Sequence, residues 1–432
     1  MRARVLVLGG GIAGIAAALR LADAGCKVTL IESRERLGGR ASSFLDARTG
    51  LLLDNCQHVT LGCCVEYLSL CDELGVRDWI RWDSEQYWVE PGGRETVLAP
   101  TQWLPGPMQG LPAFTAARFL SWSEKARVAM GLAHLAVADR RALGATTFRA
   151  ALDEWGQEEP ERTKFWDPII ISACNMLPER VSARPAVQVF QDAFLKGAAA
   201  SAIGIMTRPL VRVYDAAESL LRNRGGLIHL GESVASFDAS SATLASGETL
   251  VADRVVCALP FEKARAVVAP SIRFRDDRFA SLEPMGHSPI LGVHLFFDRP
   301  VLERPHAVLV GRPTQWLFRK DESGATVHAV ISAADDWVDL SPEQIAARVL
   351  ADLHACFPRS ASASLVSCRP VKERRATFAY VPGFDDARPG PAAEDGAGPF
   401  LAGDYTRTDW PATMEGATIS GRQAASALLD TL

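Results

Sequence analysis

The sequence lacks several features that would each point to a different class of protein. Its nine cysteines are odd in number and show no CxxC spacing, which argues against a disulfide framework and against a zinc site. No uninterrupted apolar run reaches the roughly 18 residues of a membrane-spanning helix. The formal net charge of −5 provides no basic field for nucleic acid. We therefore expect a cytoplasmic protein with no metal and no nucleic-acid partner, in contact at most with the inner face of a membrane.

The amino-terminal segment carries a clear secondary-structure pattern. Arg4 to Leu8 is a run of β-branched residues and leucine, Ile12 to Ala24 has alanine and leucine at helical spacing, and Lys27 to Ile31 is a second predicted strand. A βαβ unit of this kind implies a right-handed crossover and a parallel sheet that binds ligand at the carboxyl ends of its strands. The pattern predicts an α/β fold.

A glycine motif joins the first strand to the first helix. Gly9, Gly11 and Gly14 form G-x-G-x-x-G, which permits a tight turn, close approach to a pyrophosphate and close packing of helix on strand. Glu32 ends the next predicted strand, where a carboxylate accepts hydrogen bonds from a ribose 2′-OH. The motif occurs once, whereas enzymes that pass electrons from a nicotinamide to a flavin within one chain usually carry two. We therefore expect one tightly held flavin.

A second glycine loop and the carboxyl-terminal region carry a family resemblance. Arg36-Leu37-Gly38-Gly39-Arg40 resembles the loop of the flavin amine oxidase and phytoene desaturase superfamily that lies against the cofactor phosphates. Asp404 resembles the acid that binds the ribityl region of that cofactor, and the segment from Trp410 to Glu415 resembles the helix start that faces the flavin pyrimidine. The resemblance implies FAD as cofactor. The predicted FAD-binding residues are Gly9, Gly11, Ile12, Ala13, Gly14, Glu32, Ser33, Arg34, Gly38, Gly39, Arg40, Val234, Gly403, Asp404, Trp410, Pro411, Ala412 and Thr413.

The same resemblance implies how the chain is divided into domains. We predict a Rossmann-like FAD-binding domain, of the amine-oxidase type, from residues 1–80, 210–265 and 395–432. An interleaved α+β substrate-binding domain, with a mainly helical part and a mixed sheet, takes residues 81–209 and 266–394.

A finer resemblance selects one branch of the superfamily. The segment Asp54-Asn55-Cys56-Gln57-His58 resembles the Asp-Asn-Gly-Gln-His motif of hydroxysqualene dehydroxylases, although Cys56 stands where that family usually has glycine. The resemblance implies reduction of hydroxysqualene, a hydrophobic C30 isoprenoid alcohol of hopanoid and squalene biosynthesis, to squalene. An external reductant for the flavin is implied as well.

Replacing C–OH by C–H requires two electrons and a proton for the departing water. Reduced flavin can deliver the hydride, and an acid must assist the leaving oxygen. We predict His58 as the proton donor, with Asp54 raising its pKa. Alternatively, the two residues only brace the loop. Asp409 is a weaker candidate acid. Trp316, Trp410 and Gln57 are predicted to line the substrate site.

Several alternatives remain open at this stage. A carotenoid (phytoene or diapophytoene) desaturase would run the flavin in the oxidising direction on the same scaffold, and an amine or protoporphyrinogen oxidase is a further possibility. A non-catalytic prenyl-lipid carrier that resembles the Rab escort proteins would have a degraded flavin site, against the intact glycines. The segment from Trp103 to Leu120 is either packed structure or a peripheral membrane contact. Cys63, Cys64 and Cys71 are either a redox pair or small buried residues.

Overall fold

The computed structural model describes residues 2–394, 396 and 398–432. The predicted domain starts at residues 1 and 395 lie outside the described residues. The strands are β1 Arg4–Leu8, β2 Lys27–Ile31, β3 Ser43–Leu45, β4 Leu52–Asp54, β5 Val59–Leu61, β6 Ile80–Asp83, β7 Gln86–Val89, β8 Glu95–Leu98, β9 Ile203–Met206, β10 Leu227–His229, β11 Val234–Phe237, β12 Ser241–Leu244, β13 Thr249–Val251, β14 Arg254–Cys257, β15 His287–Phe297, β16 His306–Leu309, β17 Trp316–Arg319, β18 Thr326–Ser332, β19 Leu365–Phe378 and β20 Phe400–Leu401.

The helices follow the same chain order. They are α1 Ile12–Asp23, α2 Val65–Glu73, α3 Leu111–Ala116, α4 Trp122–Val137, α5 Phe148–Glu154, α6 Glu159–Glu161, α7 Asp167–Cys174, α8 Ala183–Val189, α9 Ala198–Ser201, α10 Leu210–Asn223, α11 Phe261–Val267, α12 Pro270–Arg273, α13 Asp277–Ala280, α14 Pro342–Cys356, α15 Phe384–Ala387 and α16 Met414–Leu429. Short 3-10 turns cover Arg77–Trp79, Gly106–Gly110 and Pro358–Ser362, and π-helical turns cover Arg162–Trp166 and Phe190–Phe194. Within the described residues, no helix is long and apolar enough to cross a membrane.

A five-stranded parallel sheet, in the order β10-β2-β1-β14-β20, forms one half of the molecule. Its strands come from the beginning, the middle and the end of the chain, and α1 packs against α16 beside it. The central strands β1 and β14 are almost wholly buried, as the apolar run from Val5 to Leu8 requires. The predicted α/β class is confirmed, and the carboxyl ends of these strands share one edge.

A seven-stranded sheet, in the order β19-β15-β18-β17-β16-β7-β8, forms the second half. Its ladders are antiparallel except that β16 pairs with β7 in parallel. One face packs on α14, whose start is fixed by a capping box between Ser341 and Gln344. The other face meets a helical region with an aromatic core that includes Trp88, Trp166 and Phe190. The cavity described below lies between the two sheets.

Candidate functional site

The turn between β1 and α1 brings backbone, rather than side chains, to the edge of the parallel sheet. Gly9 has φ of +106°, and its N–H donates to the carbonyl of Ile31 at 2.8 Å. A Cβ added to Gly14 would lie 1.9 Å from the Gly9 carbonyl oxygen, so helix and turn are in direct contact there. Gly11 is the N-cap residue of helix α1 and provides no side-chain cap, and the first turn of the helix contains no acidic residue. Its first N–H groups therefore remain available to an anion.

Glu32 organises this turn from the end of β2. The carboxylate is 7% exposed, and one oxygen accepts from the Gly10 N–H at 2.8 Å while the other accepts from the Arg34 N–H at 2.9 Å. A carboxylate retains further lone pairs after two such bonds. Glu32 can therefore hold the glycine turn and accept from a ribose hydroxyl at the same time.

The second glycine loop packs directly on the first. The Gly38 N–H donates to the Gly10 carbonyl at 2.8 Å, and a Cβ on Gly39 would meet the Gly11 Cα at 3.1 Å. Arg40 follows this loop and forms an ion pair of 2.5 Å with Asp404, which is 4% exposed. The two glycine loops, Gly9–Gly11 and Gly38–Gly39, together form a surface of backbone atoms, which we call the cradle. The ion pair between Arg40 and Asp404 lies at one end of it.

Asp404 and Trp410 belong to a carboxyl-terminal segment that several hydrogen bonds hold in place. Arg388 is fully buried and donates to the carbonyl of Asp404 at 2.8 Å and to that of Trp410 at 2.9 Å. At the start of α16, the Thr413 hydroxyl caps the Gly416 N–H at 3.1 Å. Glu415 accepts from two backbone N–H groups at the start of α2, which joins the two helices. No pattern in the sequence predicted that Arg388 would hold this segment.

A cavity of about 640 Å³ runs from the cradle to the second sheet. Among the predicted residues, Gly14, Asp54 and the weaker acid candidate Asp409 lie outside its wall. Gly14 acts through helix packing, as described above. Those that line the cavity are Gly9, Gly11, Ile12, Ala13, Glu32, Ser33, Arg34, Gly38, Gly39, Arg40, Gln57, His58, Val234, Trp316, Gly403, Asp404, Trp410, Pro411, Ala412 and Thr413. Their binding roles stay predictions.

Part of the far wall of the cavity is apolar. The indole of Trp316 stacks on Phe318 with 5.6 Å between ring centroids, and its Nε1–H donates to Ser172 Oγ at 2.8 Å. Ile290 and Val330 continue this wall from the neighbouring strands. Gln57 lies at the edge, where its Oε1 accepts from Lys320 Nζ at 3.0 Å.

The Asp54–His58 segment separates into two roles. Asp54 Oδ1 accepts from Ser43 Oγ at 2.6 Å and from the Leu210 N–H at 3.0 Å, so this carboxylate braces the start of α10. His58 lines the cavity, and its Nδ1 lies 3.1 Å from the Cys56 carbonyl. Because a carbonyl only accepts, Nδ1 donates and Nε2 is left for another partner.

Two opposing effects determine the pKa of His58. Burial lowers the pKa of His58 below its ordinary value, and the negative charge of Asp54 raises this pKa but does not reverse the shift. Asp54 therefore acts on the pKa of His58 in the predicted direction, but desolvation of the imidazolium is the larger effect, and the net shift is downward.

Two buried histidines, which were not among the predicted site residues, lie next to the Asp54–His58 segment. The rings of His294 and His328 stack with centroids 4.0 Å apart, and His294 Nε2–H donates to the Asp54 carbonyl at 2.9 Å. Burial lowers the pKa of His294 to about 4. Cys56 is not among the described residues with positive φ, so the segment accommodates an L side chain where the resembling family has glycine.

Other wall residues were also missed. Ala258, Leu259 and Pro260 follow β14, and the rule that ligands bind beyond the carboxyl ends of parallel strands could have identified them. Phe318 lies two positions after Trp316 on the same strand, so the alternation of β17 could have identified it. The acid candidate Asp409 is not in this wall; it pairs with Arg184 in a neighbouring polar cavity.

The residues present fit FAD. The start of α1, which has no side-chain cap, and the cradle formed by the two glycine loops suit a pyrophosphate, and the buried Glu32 suits a ribose. The Trp410–Thr413 segment lines the same cavity. Among the described residues, no group of three or more His, Cys, Asp or Glu side chains could hold a metal ion.

This fold and this cavity define an FAD-dependent oxidoreductase. The chain belongs to the family of flavin containing amine oxidoreductases, whose pattern matches residues 12–429. It is 29% identical over 456 residues to a hydroxysqualene dehydroxylase from Rhodopseudomonas palustris, covering 99% of each chain. It is 28% identical over 481 residues to a zeta-carotene desaturase from Synechocystis, covering 99% of this chain and 97% of that one. A putrescine oxidase bound to putrescine has the same fold, with a TM-score of 0.75 at 17% identity over 100% of this chain and 99% of that one.

Proposed function

We propose that this enzyme removes the allylic hydroxyl of hydroxysqualene and yields squalene. The observation that carries the proposal is the position of His58, a titratable group that lines the same cavity as the apolar side chains of Trp316 and Phe318. Loss of the hydroxyl group of an isoprenoid alcohol as water requires a proton donor. The end-to-end similarity to a hydroxysqualene dehydroxylase supports the same reaction.

In this proposal the side chains divide the work. Reduced FAD, when bound, supplies the hydride that replaces the hydroxyl. Protonated His58 donates from Nε2 to the departing oxygen, which leaves as water, while Nδ1 stays bonded to the Cys56 carbonyl. Trp316 and Phe318 hold the hydrocarbon and exclude bulk water. The C–O bond breaks, one C–H bond forms, and the two electrons come from outside the chain through a reductant that stays a prediction.

A carotenoid desaturase is the second candidate. It is favoured by the similarity to a zeta-carotene desaturase and by the lowered pKa of His58, because an imidazole that is neutral at pH 7 is suited to accept a proton. In that reaction His58 would take a proton from the substrate and oxidised FAD would receive the hydride.

The test uses the flavin-loaded enzyme in two redox states. Under anaerobic conditions, with chemically reduced FAD, hydroxysqualene should be converted to squalene, detected by mass spectrometry. The oxidised enzyme should leave phytoene and diapophytoene unchanged. Desaturated products from the oxidised enzyme, with no squalene from the reduced enzyme, would replace the first proposal by the second.

The predicted membrane contact stays a prediction. Trp103 is 82% exposed, and Met108 and Leu111 of the same segment are exposed as well; Trp122, which follows the segment, is 74% exposed. Such side chains suit the surface of a lipid layer in which a hydrocarbon substrate dissolves. Flotation with anionic vesicles, compared between the native chain and a Trp103→Ser, Trp122→Ser double variant, tests this contact.

A further inference from the structure

We propose that Cys63 and Cys64 form a dithiol site for bidentate thiophilic ligands, of which trivalent arsenicals are the test class. The site lies in the wall between the FAD cavity and a second, polar cavity. It is independent of the proposed reaction, since it needs only the thiols and the two cavities.

The backbone explains why two neighbouring side chains face the same space. In a strand, neighbours point to opposite faces. Here the chain turns instead: the Cys64 N–H donates to the Leu61 carbonyl at 2.9 Å, and the Val65 N–H donates to the Cys63 carbonyl at 3.0 Å. Cys64 has φ of −82° and ψ of 63°, the geometry of an inverse γ-turn. Both cysteines consequently line the FAD cavity.

The second cavity gives access to this pair from solvent. It has a volume of about 800 Å³, and its lining includes charged side chains such as Arg140 and Asp139. Cys63 is half-buried and lines both cavities, as does Trp410. A small reagent can therefore reach Cys63 through the polar cavity and find Cys64 next to it.

The chemistry of the pair supports selective reaction. All nine cysteines are free thiols. Cys64 immediately precedes the nine-residue helix α2, and a helix start favours a thiolate. The neighbouring Cys63 thiol lowers the pKa of Cys64, whereas burial raises the pKa of Cys71 to about 11 and that of Cys56 to about 12. The first thiolate of this region is therefore formed within the pair.

The reaction is a condensation without any change of oxidation state. With phenylarsine oxide, two As–S bonds form, the As=O bond and two S–H bonds break, and one water leaves. A lone thiol can form only one such bond. Two adjacent sulfurs therefore hold the arsenic more firmly than the lone thiol of Cys26, which is also half-buried.

The experiment treats the flavin-loaded protein with an equimolar amount of phenylarsine oxide, washes it with glutathione and measures its intact mass. The native chain should carry one phenylarsenic group, with the loss of one water, and dithiothreitol should remove it. Cys63→Ser and Cys64→Ser should each lose the adduct after the glutathione wash. Cys26→Ser and Cys71→Ser are the matched controls and should retain it.

A second readout places the adduct in the cavity. Because both sulfurs line the FAD cavity, the visible absorption of the bound flavin should change in the native chain and remain unchanged in Cys63→Ser. An adduct that persists in both single variants at the native level, or a native chain that carries none while the unfolded chain does, overturns the proposal. A native adduct that leaves the flavin spectrum unchanged also contradicts it.

Discussion

The two ends of the FAD cavity are built on opposite principles. At the nucleotide end, Gly11 and Gly39 approach so closely that backbone forms the surface, and Glu32 and Asp404 are held by fixed hydrogen bonds. At the far end, Trp316 and its neighbours present side chains from an antiparallel sheet. At the nucleotide end, an added side-chain atom should weaken or prevent flavin binding, because a surface formed by backbone cannot repack. The far end should tolerate substitution at the cost of affinity, because side chains can shift.

Gly14→Ala should have the largest effect. Its Cβ would lie 1.9 Å from the Gly9 carbonyl oxygen, so the turn and the helix must separate. We expect the purified variant to contain no flavin, as measured by visible absorption, and to unfold at lower temperature. Gly110→Ala is the control, since nothing lies within 4 Å of a Cβ there.

Gly11→Ala separates binding from folding at the same end. A Cβ at Gly11 meets only the Gly39 Cα, at 3.9 Å, so the empty protein should be as stable as the native chain. The new methyl group would nevertheless occupy the cradle, and the FAD affinity should fall roughly tenfold or more, about 1.4 kcal/mol. Normal flavin content in both glycine variants would mean that the cradle does not hold the pyrophosphate.

His58→Gln should leave the nucleotide end unchanged and remove turnover. Proton transfer by one side chain contributes about 10²- to 10⁴-fold, and glutamine cannot supply it. Flavin content should equal that of the native chain, and His134→Gln, at an exposed position, should be fully active. Native turnover in His58→Gln would remove this residue from the mechanism.

The pH profile distinguishes the two directions of chemistry. Because burial lowers the pKa of His58, its protonated form predominates only at a lower pH than that of an ordinary histidine. If His58 is an acid, the rate should fall as the pH rises through this lowered pKa. If it is a base in a desaturase, the rate should rise over the same interval, and this limb should be absent from His58→Gln in either case.

His294 should make the second half of the molecule sensitive to acid. An unfolded histidine has a pKa near 6.5, whereas that of folded His294 is about 4, so the unfolded chain gains a proton first. Its stabilising contribution is fully present above about pH 6.5 and is lost as the pH falls to about 4, with a loss of at most about 3 kcal/mol. Urea unfolding of His294→Gln, which keeps a donor for the Asp54 carbonyl, should show a smaller decrease over this interval. An unchanged pH dependence would contradict the assignment.

The sequence predicted the nucleotide end of the cavity more completely than the far end, and the reason is physical. Gly9, Gly11 and Glu32 lie within one βαβ unit, so their spacing along the chain already determines their geometry. His294, His328 and the Asp54–His58 segment meet only through the pairing of distant strands, which no local pattern encodes. The bracing contacts of Asp54 were not predictable for the same reason, because its partners Ser43 and Leu210 lie on other elements. At the far end, the sequence therefore predicted some of the side chains that line the cavity, but not the net direction in which the pKa of His58 is shifted.

Trp316→Leu should have the smallest effect and tests the comparison most directly. The variant loses the stacking on Phe318 and the hydrogen bond to Ser172, but leucine keeps the wall apolar. We expect an unchanged flavin content and a KM for the hydrocarbon that rises by up to roughly tenfold, since an aromatic contact contributes about 0.5–1.5 kcal/mol. Phe274→Leu, at a residue that is 79% exposed, should change neither quantity. If Trp316→Leu instead released the flavin, a substitution at the far end of the cavity would affect binding at the nucleotide end. The two ends would then act as one cooperative unit, and the contrast between a rigid end and a tolerant end would be wrong.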